Sequence, residues 1–131
     1  MNVATIHECL AMSFADTPFP VVAARLREAG VARYHADLVR LVKIHYGDGR
    51  ASCTEPLPLD AAPEVAPDFD AAAVRAALDA IQKGRIGYAG FLRRIMGAGC
   101  AGYEVYLRGR KVAYRGRDGD DLIERMPPAQ D

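Results

Sequence analysis

The chain has 131 residues, a length that suits one domain and leaves two independent domains too small to bury adequate cores. Half of its residues are hydrophobic and 26% are charged, the balance of a self-folding globular chain, and 17 Lys and Arg against 17 Asp and Glu exclude a global field directed at nucleic acid or lipid. Three cysteines, Cys9, Cys53 and Cys100, form an odd set without CxxC spacing, which excludes a disulfide framework and a thiolate zinc site and leads us to expect a reducing cytoplasm.

No basic segment followed by an apolar stretch opens the chain, and no apolar run approaches the ~18 residues of a membrane span, so neither a standard secretion signal nor a spanning segment is expected. Val3, Ile6, Leu10 and Phe14 recur at helical spacing and predict a first helix. A second is predicted over Pro20 to Ala29, with Pro20 in its first turn and Gly30 in the left-handed position after its last. The period then changes to two. A three-residue loop, Val39-Arg40-Leu41, would pair Leu38 with Val42, Ala36 with Ile44 and Tyr34 with Tyr46, placing these side chains on one apolar face. Asp48-Gly49 marks a turn into a short third strand around Ala51 to Glu55. Four prolines between Pro56 and Pro67 then predict a stiff, extended connection.

The same order of signals returns after it. Val74, Leu78 and Ile81 predict a helix that Asp68 or Asp70 caps and Gly84 ends, and Tyr88 to Ala98 predicts another, closed by Gly99. A turn at Arg108-Gly109 pairs Leu107 with Arg110, Val105 with Val112 and Tyr103 with Tyr114; Asp118-Gly119 leads to a last strand, Asp121 to Glu124. Ala29-Gly30 recurs as Ala98-Gly99 at an offset of 69, which also carries Arg25 to Arg94, Leu38 to Leu107, Glu55 to Glu124 and Pro58 to Pro127. A slip of one residue carries Lys43 to Lys111 and Tyr46 to Tyr114. The expected fold is therefore one α+β domain made by internal duplication. A first copy spans residues 1–60 and a second 68–131, joined through 61–67; each is two helices and a three-stranded antiparallel meander, with helices packed on the sheet's apolar face.

Ala29 to Asp37, the Tyr88-x-x-Phe91 helix, Ala98-Gly99, Tyr103-Glu-Val, Tyr114, Asp118-Gly119 and Glu124-Arg-Met-Pro127 together resemble the YbcV-like proteins, a family often labelled phage envelope protein. The similarity runs from about Pro20 to Pro127 and rests on structural signals; it implies a fold and a phage or prophage association rather than a mechanism.

Several constellations could carry chemistry. With Tyr34 opposite Tyr46, His35 would face His45 and Asp37 would face Lys43 on the solvent side. Two imidazoles there could share a divalent metal with Asp37, Glu55 or His7 as a third ligand; the plainer alternative is a solvated strand pair with an Asp37–Lys43 ion pair. Cys53 and His45 are the one thiol–imidazole pairing that adjacency could bring together, against a packing role for Cys53. Glu55 and Glu124 could face each other across a pseudo-twofold as acid and base, or close the meanders structurally. Tyr106, Arg110, Lys111 and Arg115 make a basic ribbon that could grip phosphates, although acidic neighbours from Asp118 onward oppose that. Tyr34, Tyr46, Tyr103 and Tyr114 are assigned to the core. No cofactor-binding pattern is present. The function expected is a non-catalytic binding or accessory role toward a protein partner, a second copy of the chain included, without membrane attachment and with little nucleic-acid binding. The alternatives are a small metal- or histidine-dependent enzyme using His35 and His45, and a nucleic-acid-binding ribbon.

Overall fold

Asn2 has no helical neighbour before it, and its side chain accepts the Thr5 N–H at 3.1 Å to start α1 (Val3–Phe14). In the computed structural model, which describes residues 1–126, α2 (Phe19–Glu28) follows with Pro20 in its first turn. It ends at Gly30, whose φ of +91° is the left-handed position that glycine occupies without strain. Strands β1 (Arg33–Asp37), β2 (Val42–Tyr46) and β3 (Ser52–Pro56) complete the first copy. The second repeats it as α3 (Ala71–Gln82), α4 (Tyr88–Gly97), β4 (Cys100–Tyr106), β5 (Lys111–Gly116) and β6 (Asp121–Arg125). Asp70 rather than Asp68 caps α3, through the Ala73 N–H at 3.0 Å. Gly99 is required twice: its φ is +87°, and a Cβ there would lie 2.0 Å from the Asp68 carbonyl oxygen. Pro127, matched to Pro58 in the repeat, lies outside the described residues.

All six strands form one antiparallel sheet in the order β3-β2-β1-β4-β5-β6, so each copy is a meander and the two join through β1 and β4. The central pairing is its own mirror. Arg33 lies opposite Tyr106, Tyr34 opposite Val105 and His35 opposite Glu104, and Glu104 is the residue 69 beyond His35. A pseudo-twofold axis therefore passes between His35 and Glu104. The connections obey it as well: Leu38 N–H donates to Ala101 O and Leu107 N–H to Ala32 O, while Leu57 N–H donates to Leu41 O and Met126 N–H to Arg110 O.

One face of the sheet packs on the helices. Tyr34, Ala36, Leu38, Tyr103, Val105, Leu107, Val112 and Tyr114 from the strands join Ile6, Val22, Leu26, Val74, Leu78, Phe91, Leu92 and Ile95 from the helices in a single buried cluster. At ~25 cal/mol per Å² of apolar surface, this burial is the main term holding four short helices to a sheet.

The second hairpin has the expected register, with Tyr103 opposite Tyr114 and Val105 opposite Val112. The first does not. Tyr34 lies opposite His45, His35 opposite Ile44, Ala36 opposite Lys43 and Asp37 opposite Val42. The reason is the loop. Both copies turn through four residues, Leu38–Leu41 and Leu107–Arg110, whose last members, Leu41 and Arg110, each have a φ of +57°. The offset of 69 therefore runs unbroken through the meander, and the one-residue slip inferred from Lys43/Lys111 and Tyr46/Tyr114 is a coincidence of residue type. A shift of one residue exchanges the two faces. Val42, Ile44 and Tyr46, expected in the core, are half-buried on the side away from the helices, while Lys43 and His45 are buried beneath them.

Candidate functional site

The corrected register places the candidate residues in two separate groups, one on each face. Under α1, Lys43, His45 and Glu55 are 4%, 2% and 3% exposed. Their equivalents in the second copy, 69 residues on, are Val112, Tyr114 and Glu124, so the same fold packs an apolar pair where the first copy buries a lysine and a histidine. Glu55 Oε2 accepts from Nδ1 of His7, a half-exposed side chain on α1, at 2.6 Å. The other carboxylate oxygen, Oε1, faces His45 Nδ1 at 3.8 Å, and neither of these two buried atoms has a hydrogen-bond partner. Burial pushes the His45 imidazole down to about 4, with the Lys43 charge adding to the effect, so it is neutral at pH 7. The Lys43 ammonium lies 4.9 Å from the ring centres of both Tyr34 and Tyr88, held by their π faces rather than by a carboxylate. Tyr88 in turn shares a hydroxyl–hydroxyl hydrogen bond with Tyr103.

His35 and His45 thus lie on opposite faces of the sheet and cannot share a metal. Asp37 is also not opposite Lys43. Its Oδ1 accepts the Val39 and Arg40 N–H groups, each at 3.0 Å, and so shapes the turn. Among the described residues no three His, Cys, Asp or Glu side chains gather as a metal-binding group. Glu55 and Glu124 lie on β3 and β6, the two outer strands, five strand spacings or about 24 Å apart, too far to act as an acid–base pair. Cys53 does lie opposite His45. Burial and the Glu55 charge raise its thiol above the ordinary range, which opposes thiolate formation. Cys9 and Cys100 are buried, with burial pushing Cys100 up to about 11, and all three cysteines are free.

The second group lies on the face that no helix covers, around the pseudo-twofold. His35 Nδ1–H donates to Glu104 Oε1 at 2.9 Å, and Arg33 donates to Glu104 Oε2 at 2.6 Å. The Arg33 guanidinium carbon lies over the Tyr46 ring, 4.0 Å from its centre. Across the axis the equivalent of Arg33 is Gly102, and that of Tyr46 is Arg115. Where Arg33 fills one side, Gly102 leaves a depression of about 390 Å³, lined by His35, Asp37, Arg40, Gly102, Glu104 and Arg115 among others. Of the basic ribbon, Tyr106 and Lys111 belong to this face, the ammonium 5.6 Å from the ring centre, and Arg115 rims the depression with Asp121 3.7 Å away. Arg110 closes the turn instead.

Neither a protein-family model nor a curated protein matches this chain. The site must therefore be read from its own chemistry. The strand signals gave Arg33, Gly102 and Glu104 no functional role and placed Lys43 on the solvent side against Asp37; an unbroken offset of 69 would have corrected this, by setting Lys43 against Val112 and Arg33 against Gly102.

Proposed function

We propose that this chain is a non-catalytic binding protein that recognises a protein partner through the uncovered face of its six-stranded sheet. One observation carries the reading. The helices occupy one face only, and the other presents Ile44, Tyr46, Tyr106 and Ile123 among an Arg33–Glu104 ion pair and two cation–π contacts already formed in the free chain. Such a surface combines aromatic contact area with prepaid side-chain order, the properties of a preorganised interface. Among the described residues no helix is long and apolar enough to cross a membrane. The three free thiols support a cytoplasmic partner, and the resemblance to YbcV-like proteins would make that partner a phage or host protein.

A second reading, histidine-dependent chemistry, is favoured by the Glu104–His35 contact, in which a carboxylate fixes one ring nitrogen while the other lies over Gly102. No thiol or hydroxyl nucleophile is placed beside His35 by the strand register, so binding remains the better account.

The test is site-specific photo-crosslinking in the producing cell. A photoreactive residue replacing Tyr106 should yield discrete adducts with another protein, and one replacing Val21, exposed on the helix layer, should not. Adducts confined to position 21 would refute the reading.

A further inference from the structure

The two sides of the pseudo-twofold axis carry different residues at equivalent positions, with Arg33 on one side where Gly102 borders a depression on the other. On the filled side Arg33 places a planar cation between the Tyr46 ring and the Glu104 carboxylate. On the open side Gly102 supplies no side chain, Arg115 stands where Tyr46 stood, and His35 stands where Glu104 stood. At the positions equivalent to the Tyr46 ring and the Glu104 carboxylate stand a guanidinium and an imidazole, and the Glu104 carboxylate that also borders the depression is held by Arg33 and His35. Arg40 also lines the depression.

The carboxylates of this depression are already engaged. Glu104 accepts from both His35 and Arg33, and Asp37 accepts two backbone N–H groups in its turn. The pairing of Arg115 with Asp121, at 3.7 Å between half-exposed groups, is too long for a hydrogen bond and readily exchanged. Glycine is needed at the floor, since a Cβ on Gly102 would come within 2.8 Å of the Ala36 carbonyl oxygen and 3.4 Å of the His35 ring.

We infer that the depression beside the pseudo-twofold axis seats a carboxylate side chain of an acidic segment of the partner protein, gripped by Arg115 and Arg40. The inference rests on the binding role proposed above and names the chemistry of the partner. A carboxylate is planar, matches the guanidinium that fills the other side in shape, and accepts paired N–H bonds from an arginine fork.

The experiment is fluorescence anisotropy with a labelled peptide of four Gly-Glu repeats, the equivalent Gly-Gln peptide and an eight-nucleotide oligothymidine. The full chain is compared with Arg115→Glu, Arg40→Glu and, as an equal change of charge on the helix layer, Arg27→Glu. Saturable binding of the Glu peptide alone is expected, weakening with salt, falling about tenfold or more in Arg115→Glu and Arg40→Glu and unchanged in Arg27→Glu. Equal binding of the Gln peptide, or equal loss in Arg27→Glu, would overturn the site. Tighter binding of the oligonucleotide would overturn the acidic-peptide assignment in favour of phosphate. Absence of binding by all three probes would overturn the carboxylate inference while leaving crosslinking from Tyr106 to decide the binding role separately.

Discussion

His45 has almost no access to solvent, and its imidazole titrates near 4 rather than at the ordinary value of 6.5. The unfolded chain therefore takes up a proton below about pH 6.5 that the folded chain refuses until about pH 4. Stability from this group is complete above pH 6.5 and is lost as the pH falls toward 4, by about 3 kcal/mol over the whole interval. Urea titrations at pH 7 and pH 4.5 should show this loss in the parent, and His45→Phe should remove most of that difference while leaving the contribution of the surface carboxylates. A slope that is identical in the two proteins would place His45 outside the titrating set. Lys43 and His45 also have an internal control, because Val112 and Tyr114 occupy the same positions in the second copy. The double substitution Lys43→Val, His45→Tyr should therefore fold, and by the precedent of buried polar groups exchanged for apolar ones it should be more stable by about 1 to 4 kcal/mol. A lower urea midpoint would show that the cluster supports the fold rather than standing at its expense.

At the scale of elements, the register of the first hairpin decides which substitutions matter. Leu38 is 1% exposed and packs in the core, whereas Ile44 is half-buried on the open face. Leu38→Ala should cost about 2 to 5 kcal/mol, the range for truncating a core leucine, and Ile44→Ala less than about 1.5 kcal/mol. The comparison is made by thermal or urea unfolding; the reverse ranking would restore the register in which Ile44 faces the helices. The helices themselves were legible in advance because their signals are local. Pro20 opens a first turn, Gly30, Gly84 and Gly99 adopt positive φ, and of the two caps open for α3, Asp68 and Asp70, it is Asp70 that caps; the Asn2 cap of α1 was not among these signals. Asp70→Ala should cost about 1 kcal/mol through loss of the bond to the Ala73 N–H, a value that urea titration can resolve.

The whole molecule is two half-sheets joined by one antiparallel ladder, so its stability depends on an interface between copies. In that ladder the contacts at the axis join unlike residues, His35 and Arg33 from one copy and Glu104 from the other. Homotypic pairing would set Glu104 against Glu104 or His35 against His35. If the chain is divided at the exposed Asp60–Ala61 turn, the two fragments should associate with each other in preference to themselves and recover cooperative unfolding, measurable by circular dichroism and sedimentation. Two independently folded monomers would contradict the shared core, in which residues of both halves form one cluster.

The amino-acid sequence by itself determined the order of helices and strands and the second hairpin, because each depends on spacing and turn chemistry within a few residues, and it showed the duplication because the same order of local signals returns 69 residues on. The face of the first hairpin depended on the tertiary structure. Val42, Ile44 and Tyr46 alternate as a buried strand should, yet β1 is locked by β4 on its other side and Leu38 is drawn into the core, and these constraints bury Lys43 and His45 instead. That inversion costs desolvation, which the Tyr34 and Tyr88 rings, His7 and Glu55 partly offset from distant parts of the chain. No local pattern could report those partners. The same holds for the depression beside Gly102: its emptiness has meaning only against Arg33 across the axis, and only the folded sheet brings the two together.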